Sequence, residues 1–512
     1  MSKYITIPFP KPKLAKNLYE PLDTVQNAVG IDLLTNSAVL RPFPNAITAI
    51  TNPASAGATA INMMNSLRAS DGKFYVVGSA TISAATNLVL FTTTDIVASP
   101  TWTLAHNVAG APSDAIAEFK DGIFYGYGTN LGRWGNISGS PSATVVSAGL
   151  TTGLNLLLNH VGLGFLYFVH NSGKTVGRYD GSTVELSKLT INAGERIVSM
   201  KEYGQYVLLG IRSTDSSSSS GNGKSRIVVW DGAALTTVDQ SIINDMGLGS
   251  IQVLGSTVIA ICTTMPSASS VVRLRIYQGS PGGLMQLVEW KDWYDAHGPI
   301  GLNDNACDIS MDKIWFAPDW LSGTTDGGIF VYDPAQKSMY RSLLPAANTT
   351  DDSFSSFRMF GTNTLITYAN QSGTKIMNGI GFAFTSQVGT FETNAFALNG
   401  GLIGKIAQIT INHKAIPTSA GFTVYIKQFG NYPWGTTVPT PETYQTLFTP
   451  EGNASTSGMT QSTNNAMITE ISGNELFKEC RYAQIKVVFD EVIGITGGGS
   501  AEIAVPIIIK TV

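Results

Sequence analysis

The chain has 512 residues, 43% of them hydrophobic and only 13% charged, against the roughly 25% charge of an ordinary soluble domain. Its net charge of −4, with no basic run, argues against sequence-wide attraction to nucleic acid or an anionic membrane. Three scattered cysteines, Cys262, Cys307 and Cys480, lack the number and spacing of a disulfide framework or zinc site, so no metal or cofactor is expected.

Residues 1–48 carry Pro8, Pro10, Pro12, Pro21, Pro42 and Pro44 and read as an extended N-terminal arm, with one short helix expected within residues 17–30. Such an arm either reaches a neighbouring subunit or wraps back to complete a terminal unit of the repeat that follows. The first twenty residues hold no apolar run of signal-peptide type, and no stretch of about 20 apolar residues is present to span a bilayer. A chain made without a secretion signal and without membrane insertion is expected.

From residue 49 the sequence repeats. An aromatic residue ends a strand and a tight turn follows at Trp134-Gly135, Tyr179-Asp180-Gly181, Trp230-Asp231-Gly232, Tyr277-Gln278-Gly279 and Tyr332-Asp333-Pro334. Met377-Asn378-Gly379 and Phe91-Thr92 extend the series, at spacings of 43 to 55 residues. That is the period of propeller blades. A second apolar strand precedes each turn unit: KFYVVG (73–78), GIFYGYG (122–128), GFLYFV (164–169), QYVLLGI (205–211), TVIAIC (257–262), KIWFAP (313–318) and TLITYA (364–369). An outer strand follows, as in TVELSKL (183–189). Near-continuous apolar strands need cover on both faces, and radial stacking of sheets supplies it. A β-propeller of about seven four-stranded blades is expected over residues 49–385. The serine-rich run 213–225 then falls in a surface loop between two strands of the fourth blade.

Beyond residue 385 the pattern changes to AQITIN (407–412), FTVYIKQ (422–428), AMITEI (466–471), YAQIKVVFD (482–490) and AEIAVPIIIK (501–510), separated by long loops. Alternating strands of this kind predict a C-terminal β-sandwich of jelly-roll type over residues 386–512, with Pro506 placing the last strand at an edge. The whole chain is therefore expected to be all-β.

Catalytic motifs are missing from the sequence, and no catalytic residue is assigned: it carries no HExxH, P-loop, nucleophile elbow or dinucleotide fingerprint. Asp180, Asp231 and Asp333 recur at equivalent places, but at turns that want aspartate for their geometry. Asn303 to Asp308 bunches oxygen ligands without the order of a calcium loop and reads as a polar inter-blade loop. Ser310 to Trp315 resembles part of the turn motif of sialidase propellers, without its glycine. Aromatic residues in two loops, Trp290, Trp293 and Tyr294 in EWKDWYDAHG and Tyr432 and Trp434 in NYPWG, are the candidate contacts for a partner or a glycan.

The order of these parts carries a resemblance. A proline-containing arm leads through DLLTNSAVLRPFPN (32–45) into blades ending in aromatic-Asp-Gly, and then into strands GKIAQITIN (404–412) and RYAQIKVVF (481–489). This resembles the propeller-containing virion proteins of tailed bacteriophages, including the tail nozzle proteins of short-tailed phages. The resemblance implies a non-enzymatic structural subunit, assembled in the host cytoplasm into the virion. It would form a homo-oligomeric ring in a symmetric tail or head-to-tail assembly. Partners would be other phage tail or adaptor proteins, with DNA passing without being held. Two other readings compete. One is a receptor-binding or glycan-binding, lectin-like virion protein that grips a host surface glycan; the other, at lower weight, is a propeller glycoside hydrolase.

Overall fold

The two most apolar strand series occupy the middle of seven four-stranded antiparallel sheets in the computed structural model. The structure describes residues 3–8, 25–29, 31, 39–40, 47–49, 53, 58–96, 99–151, 153–213, 224–245, 247–264, 272–293, 299–320, 328–343, 353–360, 363–369, 375–380, 389–398, 403–413, 421–429, 445–446, 459–460, 467–471, 480–489 and 503–511. Among these residues there is no α-helix.

Blade 1 runs Ala58–Arg68, Phe74–Ile82, Ala85–Thr93 and Thr103–Ala109; blade 2 runs Pro112–Glu118, Gly122–Tyr127, Asn130–Gly135 and Ser142–Ser147. Blade 3 runs Leu156–His160, Phe165–His170, Thr175–Tyr179 and Val184–Thr190; blade 4 runs Glu195–Tyr203, Tyr206–Ser213, Ser225–Trp230 and Asp239–Ile243. Blade 5 runs Leu248–Leu254, Thr257–Thr264, Val272–Gly279 and Gln286–Trp293; blade 6 runs Cys307–Ser310, Lys313–Phe316, Ile329–Asp333 and Ser338–Leu343. Blade 7 runs Ser353–Phe360, Asn363–Ala369 and Lys375–Ile380 and takes its fourth strand, Ile47–Ala49, from before blade 1. The first strands of successive blades lie side by side in chain order, and that of blade 7 returns to that of blade 1. The sheets thus form a closed β-propeller.

The period-two alternation of each second strand divides its side chains between two neighbours. In blade 4, Val207, Leu209 and Ile211 join a core with Tyr167, Val169 and Val176 of blade 3. Leu208 points the other way, into a core with Leu248, Ile251 and Val258 of blade 5. Blade 2 behaves alike: Phe124 packs with Leu166 and Phe168 of blade 3, while Ile123 and Tyr125 pack with Tyr75 and Val77 of blade 1. Each fully buried Leu, Val or Phe contributes about 1.5–3 kcal/mol, so the inter-blade seams carry much of the propeller's stability.

The recurring aspartates are turn residues. Asp180 Oδ1 accepts from the backbone N–H of Ser182 and Thr183, both at 2.7 Å. Asp231 Oδ1 does the same with Ala233 at 2.9 Å and Ala234 at 2.8 Å, and Asp333 Oδ1 with Ala335 at 2.9 Å and Gln336 at 3.2 Å. The preceding blade then grips the turn from outside. Lys120 Nζ donates to the Asp180 carbonyl, and Tyr167 Oη and Arg178 both donate to the Gly232 carbonyl at 3.1 Å. Aromatic-Asp-Gly is therefore both a hairpin turn and a latch between blades.

Packing divides the chain into two compact units: residues 48–329 with 345–382, and residues 1–47 with 330–344 and 383–512. The second contains two antiparallel sheets. One orders Lys3–Ile7, Ile503–Thr511, Ile406–His413 and Met467–Ile471, with Val39–Leu40 also on Ile503–Thr511. The other orders Val25–Val29, Gly389–Thr393, Tyr482–Phe489, Gly421–Phe429 and Gln445–Thr446. Segments read above as an arm are thus strands within these sheets, and Val25–Val29 is a strand where a helix was expected. Its pairing with Gly389–Thr393 outweighs a weak local preference. The His413 and Phe422 rings, one from each sheet, meet edge-on at 5.5 Å.

Pro506 lies on a strand flanked on both sides, contrary to the edge placement expected of it. It is tolerated because the register against Ile406–His413 shifts between Thr410 and Asn412, opposite residues 504–508, so the ladder skips the proline.

Two outcomes are expected. Gly232 has φ +78°, and a Cβ there would stand 2.2 Å from Tyr167 Oη. Gly232→Ala should cost about 1–3 kcal/mol in urea denaturation, and an unchanged midpoint would contradict the latch. The Asp180 carboxyl is held down at about 2, by the Thr183 and Ser182 amides first and the Ser182 hydroxyl next. Its folded value lies below the unfolded one, so its stabilisation is present above roughly pH 4 and is lost as pH falls through about 2. Carbon-13 NMR titration of Asp180 should show that low midpoint; an ordinary value near 4 would contradict the turn bonds.

Candidate functional site

Among the described residues, an extended polar assembly on the propeller's first strands is built around a short 3-10 turn, Asp304–Ala306, which immediately precedes the first strand of blade 6. Asn303 caps it, its side chain accepting from Asn305 N at 3.1 Å. A two-stranded ribbon, Pro299–Gly301 with Asp319–Trp320, brackets the excursion that contains the turn.

Four blades bond to this turn, and a fifth joins through Asp114. Asp304 Oδ1 accepts from Ser199 Oγ of blade 4 at 2.7 Å and from Ser250 Oγ of blade 5 at 2.6 Å. Its Oδ2 accepts from Lys201 Nζ of blade 4 at 3.0 Å. Asn303 Nδ2 donates to Asp114 Oδ2 of blade 2 at 3.0 Å. Asn65 Nδ2 of blade 1 donates to the Asp114 carbonyl at 2.7 Å, where Asn305 Nδ2 also donates at 3.4 Å. Arg358 of blade 7 reaches Asn305 Oδ1 and the Cys307 carbonyl, each at 3.1 Å. Met359 N donates to Asp308 Oδ2 at 2.8 Å.

β-Bulges aim several of these groups. Ser199, Ser250, Ser356 and Asn65 each stand immediately after a register shift on the first strand of their blade. A bulge turns a strand and re-aims the next side chain, and all four of these side chains are buried. Gly249 occupies the bulge of blade 5, where a Cβ would lie 2.6 Å from Leu302 Cβ and 2.7 Å from its carbonyl oxygen. Only a glycine lets the chain before the turn approach this closely.

The chemistry available here is that of a filled polar core. Asp304 is 7% exposed, and its charge is balanced by Lys201, whose side chain keeps 23% exposure. Burial first, and the Asp304 charge second, push the Cys307 thiol up to about 12, which leaves it without thiolate character near neutrality. No group of three or more His, Cys, Asp or Glu suited to a metal ion is found among the described residues. The sequence reading of 303–308 as a polar inter-blade loop found the segment but not its partners, which lie up to 191 positions away.

The aromatic candidates divide differently. Trp290 and Trp293 belong to the fourth strand of blade 5, not to a loop, pairing with Arg275 and Val272. Three positions apart on a strand, they point to opposite faces. Trp293 is buried at 7% exposure. The Arg275 guanidinium lies over the Trp290 ring at 5.2 Å, held by an ion pair to Asp292 at 2.5 Å. The pattern EWKDW satisfies a strand because aromatic residues suit its half-buried surface. Tyr294, Tyr432 and Trp434 lie outside the described residues, as do residues 214–223 of the serine-rich run.

No family model matches the sequence, and no curated protein matches it. Solved structures similar to it in fold include the N-terminal domain of Nup159, 10% identical over 66% of this chain and 95% of that one, with a TM-score of 0.39. The β-propeller domain of Myceliophteria thermophila Cps50 (Swd1) is 9% identical over 66% of this chain and 99% of that one, also at 0.39. YCF48 from Cyanidioschyzon merolae is 12% identical over 65% and 98%, at 0.41.

Removing the Asp304 carboxylate leaves Lys201 unpaired and leaves two buried hydroxyls only the longer 3.4 Å bonds to the Ile251 carbonyl. Asp304→Ala should therefore lose about 2–3 kcal/mol in urea denaturation, less than the roughly 3–5 kcal/mol of a fully buried pair because Lys201 keeps access to water. A loss under about 0.5 kcal/mol would place the network among surface contacts.

Proposed function

We propose that this chain is a structural subunit of a tailed-phage virion, acting through its surfaces in a symmetric, ring-forming tail or head-to-tail assembly. The observation that carries the non-catalytic part is the engagement of the carboxylates around the axial turn. Asp304 accepts from Lys201 and two serines, Asp114 from Asn303, and Asp308 from the Ile309 and Met359 amides. A propeller glycosidase needs two carboxyls free to exchange protons and to face a sugar. Here they serve as acceptors inside a packed network.

The virion placement rests on the sequence resemblance. The two strands that carry it, Ile406–His413 and Tyr482–Phe489, fall in the two different sheets of the second unit, and we read that pair of sheets as the expected sandwich. A net charge of −4 with few basic residues suits a subunit beside DNA that must move past it, since retention on phosphates needs a basic track. Neighbouring tail or adaptor proteins complete the assembly, which forms in the host cytoplasm. The glycan-binding reading has less support, because Trp293 is buried and Arg275 already lies over one face of the Trp290 ring.

Electron microscopy and native mass measurement of the purified full chain test this. A closed ring of one copy number is expected, with interfaces of roughly 800 Å² per partner. A monodisperse monomer that binds glycans, and loses that binding in Trp290→Ala or Trp434→Ala, would overturn it in favour of receptor recognition. Cleavage in a polysaccharide screen would overturn it in favour of an enzyme.

A further inference from the structure

We infer that the Asn303–Ala306 turn is a fixed axial plug that closes the propeller's central channel. A ring of first strands encloses a channel by its geometry. In this chain the turn is bonded to first strands on several sides of that ring at once: Asp114 of blade 2, Ser199 and Lys201 of blade 4, Ser250 of blade 5 and Arg358 of blade 7. Blades 2 and 6 are not neighbours in the ring, so the Asn303–Asp114 bond spans its interior. The contact layer beneath the turn is buried, with Ala306, Ser199 and Ser250 at 0% exposure and Asn65 and Cys307 at 1%, while Asn303, Asn305, Asp114 and Lys201 at its rim are partly exposed.

The seat for the turn is built in. Bulges in blades 4 and 5 aim Ser199 and Ser250 at one carboxylate oxygen, and Gly249 removes the Cβ that would strike Leu302. Both hydroxyls are held in turn by blade 5, with Ser199 Oγ accepting from Ile251 N at 3.1 Å and Ser250 Oγ from Gln252 Nε2 at 2.8 Å. The plug is therefore part of the folded core and not a gate. One consequence rests on the structural-subunit reading: a polymer conducted by the assembly passes between protomers, never through a propeller.

Cys307 makes the plug measurable. Its Sγ lies 3.9 Å from the Asn303 carbonyl, directly beneath the turn, while buried Cys262 and Cys480 serve as internal controls elsewhere. The native full chain is treated with a thiol-specific maleimide and the modified cysteines are identified by peptide mass. In the unaltered protein all three should be protected relative to the urea-unfolded chain. Asp304→Lys sets a second ammonium against Lys201 and should expel the turn, raising Cys307 labelling about tenfold or more while Cys262 and Cys480 stay protected. Should that variant expose all three, and so have unfolded, the milder Asn305→Ala decides by the same selective criterion. Rapid Cys307 labelling in the unaltered protein, or Cys307 protection equal to it in a folded variant, overturns the plug. The labelling uses the isolated chain, so it fails or succeeds independently of whether the protein forms a virion ring.

Discussion

Seven first strands packed around one axis impose a constraint that the rest of the propeller answers. Strands at the axis are crowded and covered on both flanks, and in blades 1, 2, 4, 5 and 7 the pairing of the first strand is interrupted by a register shift. A purely apolar plug would leave the buried Ser199 and Ser250 hydroxyls and the Lys201 ammonium without the carboxylate they bond, which is costly in a dry interior. The Asn303–Ala306 turn answers this with amide and carboxylate groups that satisfy donors from several blades together. The ring is also closed in sequence: the last blade borrows Ile47–Ala49, so residues from before the first blade and after the sixth are joined in one sheet. Opening the ring would break both fastenings.

Away from the axis the seams between blades carry the load. The second strands of blades 2, 3 and 4 share their side chains between two neighbours, so their cores lie in the seams. Phe124 and Tyr125, adjacent in sequence, belong to cores on opposite sides of blade 2. The Asp-Gly turns add a polar fastening at the seam between blades 3 and 4, where Tyr167 and Arg178 converge on the carbonyl of Gly232. The same aspartates that make the repeat visible are consumed by backbone amides, which is why their recurrence signals geometry and not chemistry.

The sequence makes the middle strands legible and hides the inner ones. GIFYGY and FLYFVH announce themselves because strands covered on both faces are almost wholly apolar. The inner strands PSDAIAE, LLLNH and CDIS are short and mix small, polar and apolar residues in no fixed alternation, and in PSDAIAE a register shift interrupts the ladder as well. Asn303–Asp308 was visible as a polar cluster, but its partners come from other blades, and no local pattern predicts such a junction. Trp290 and Trp293 misled for a related reason: a charged, aromatic segment resembles a binding loop until Arg275 and Asp292 are seen to complete it. Pro506 misled because a bulge, like an edge, excuses a missing amide.

The axial network couples blades remote in sequence into one cooperative ring. Native-state hydrogen exchange, comparing the unaltered chain with Asp304→Ala, tests it most directly. Protection should fall together in Pro112–Glu118, Glu195–Tyr203, Leu248–Leu254 and Ser353–Phe360, the first strands that hold the turn. A loss confined to the turn and the strand that follows it would contradict the claim and leave each blade standing on its own.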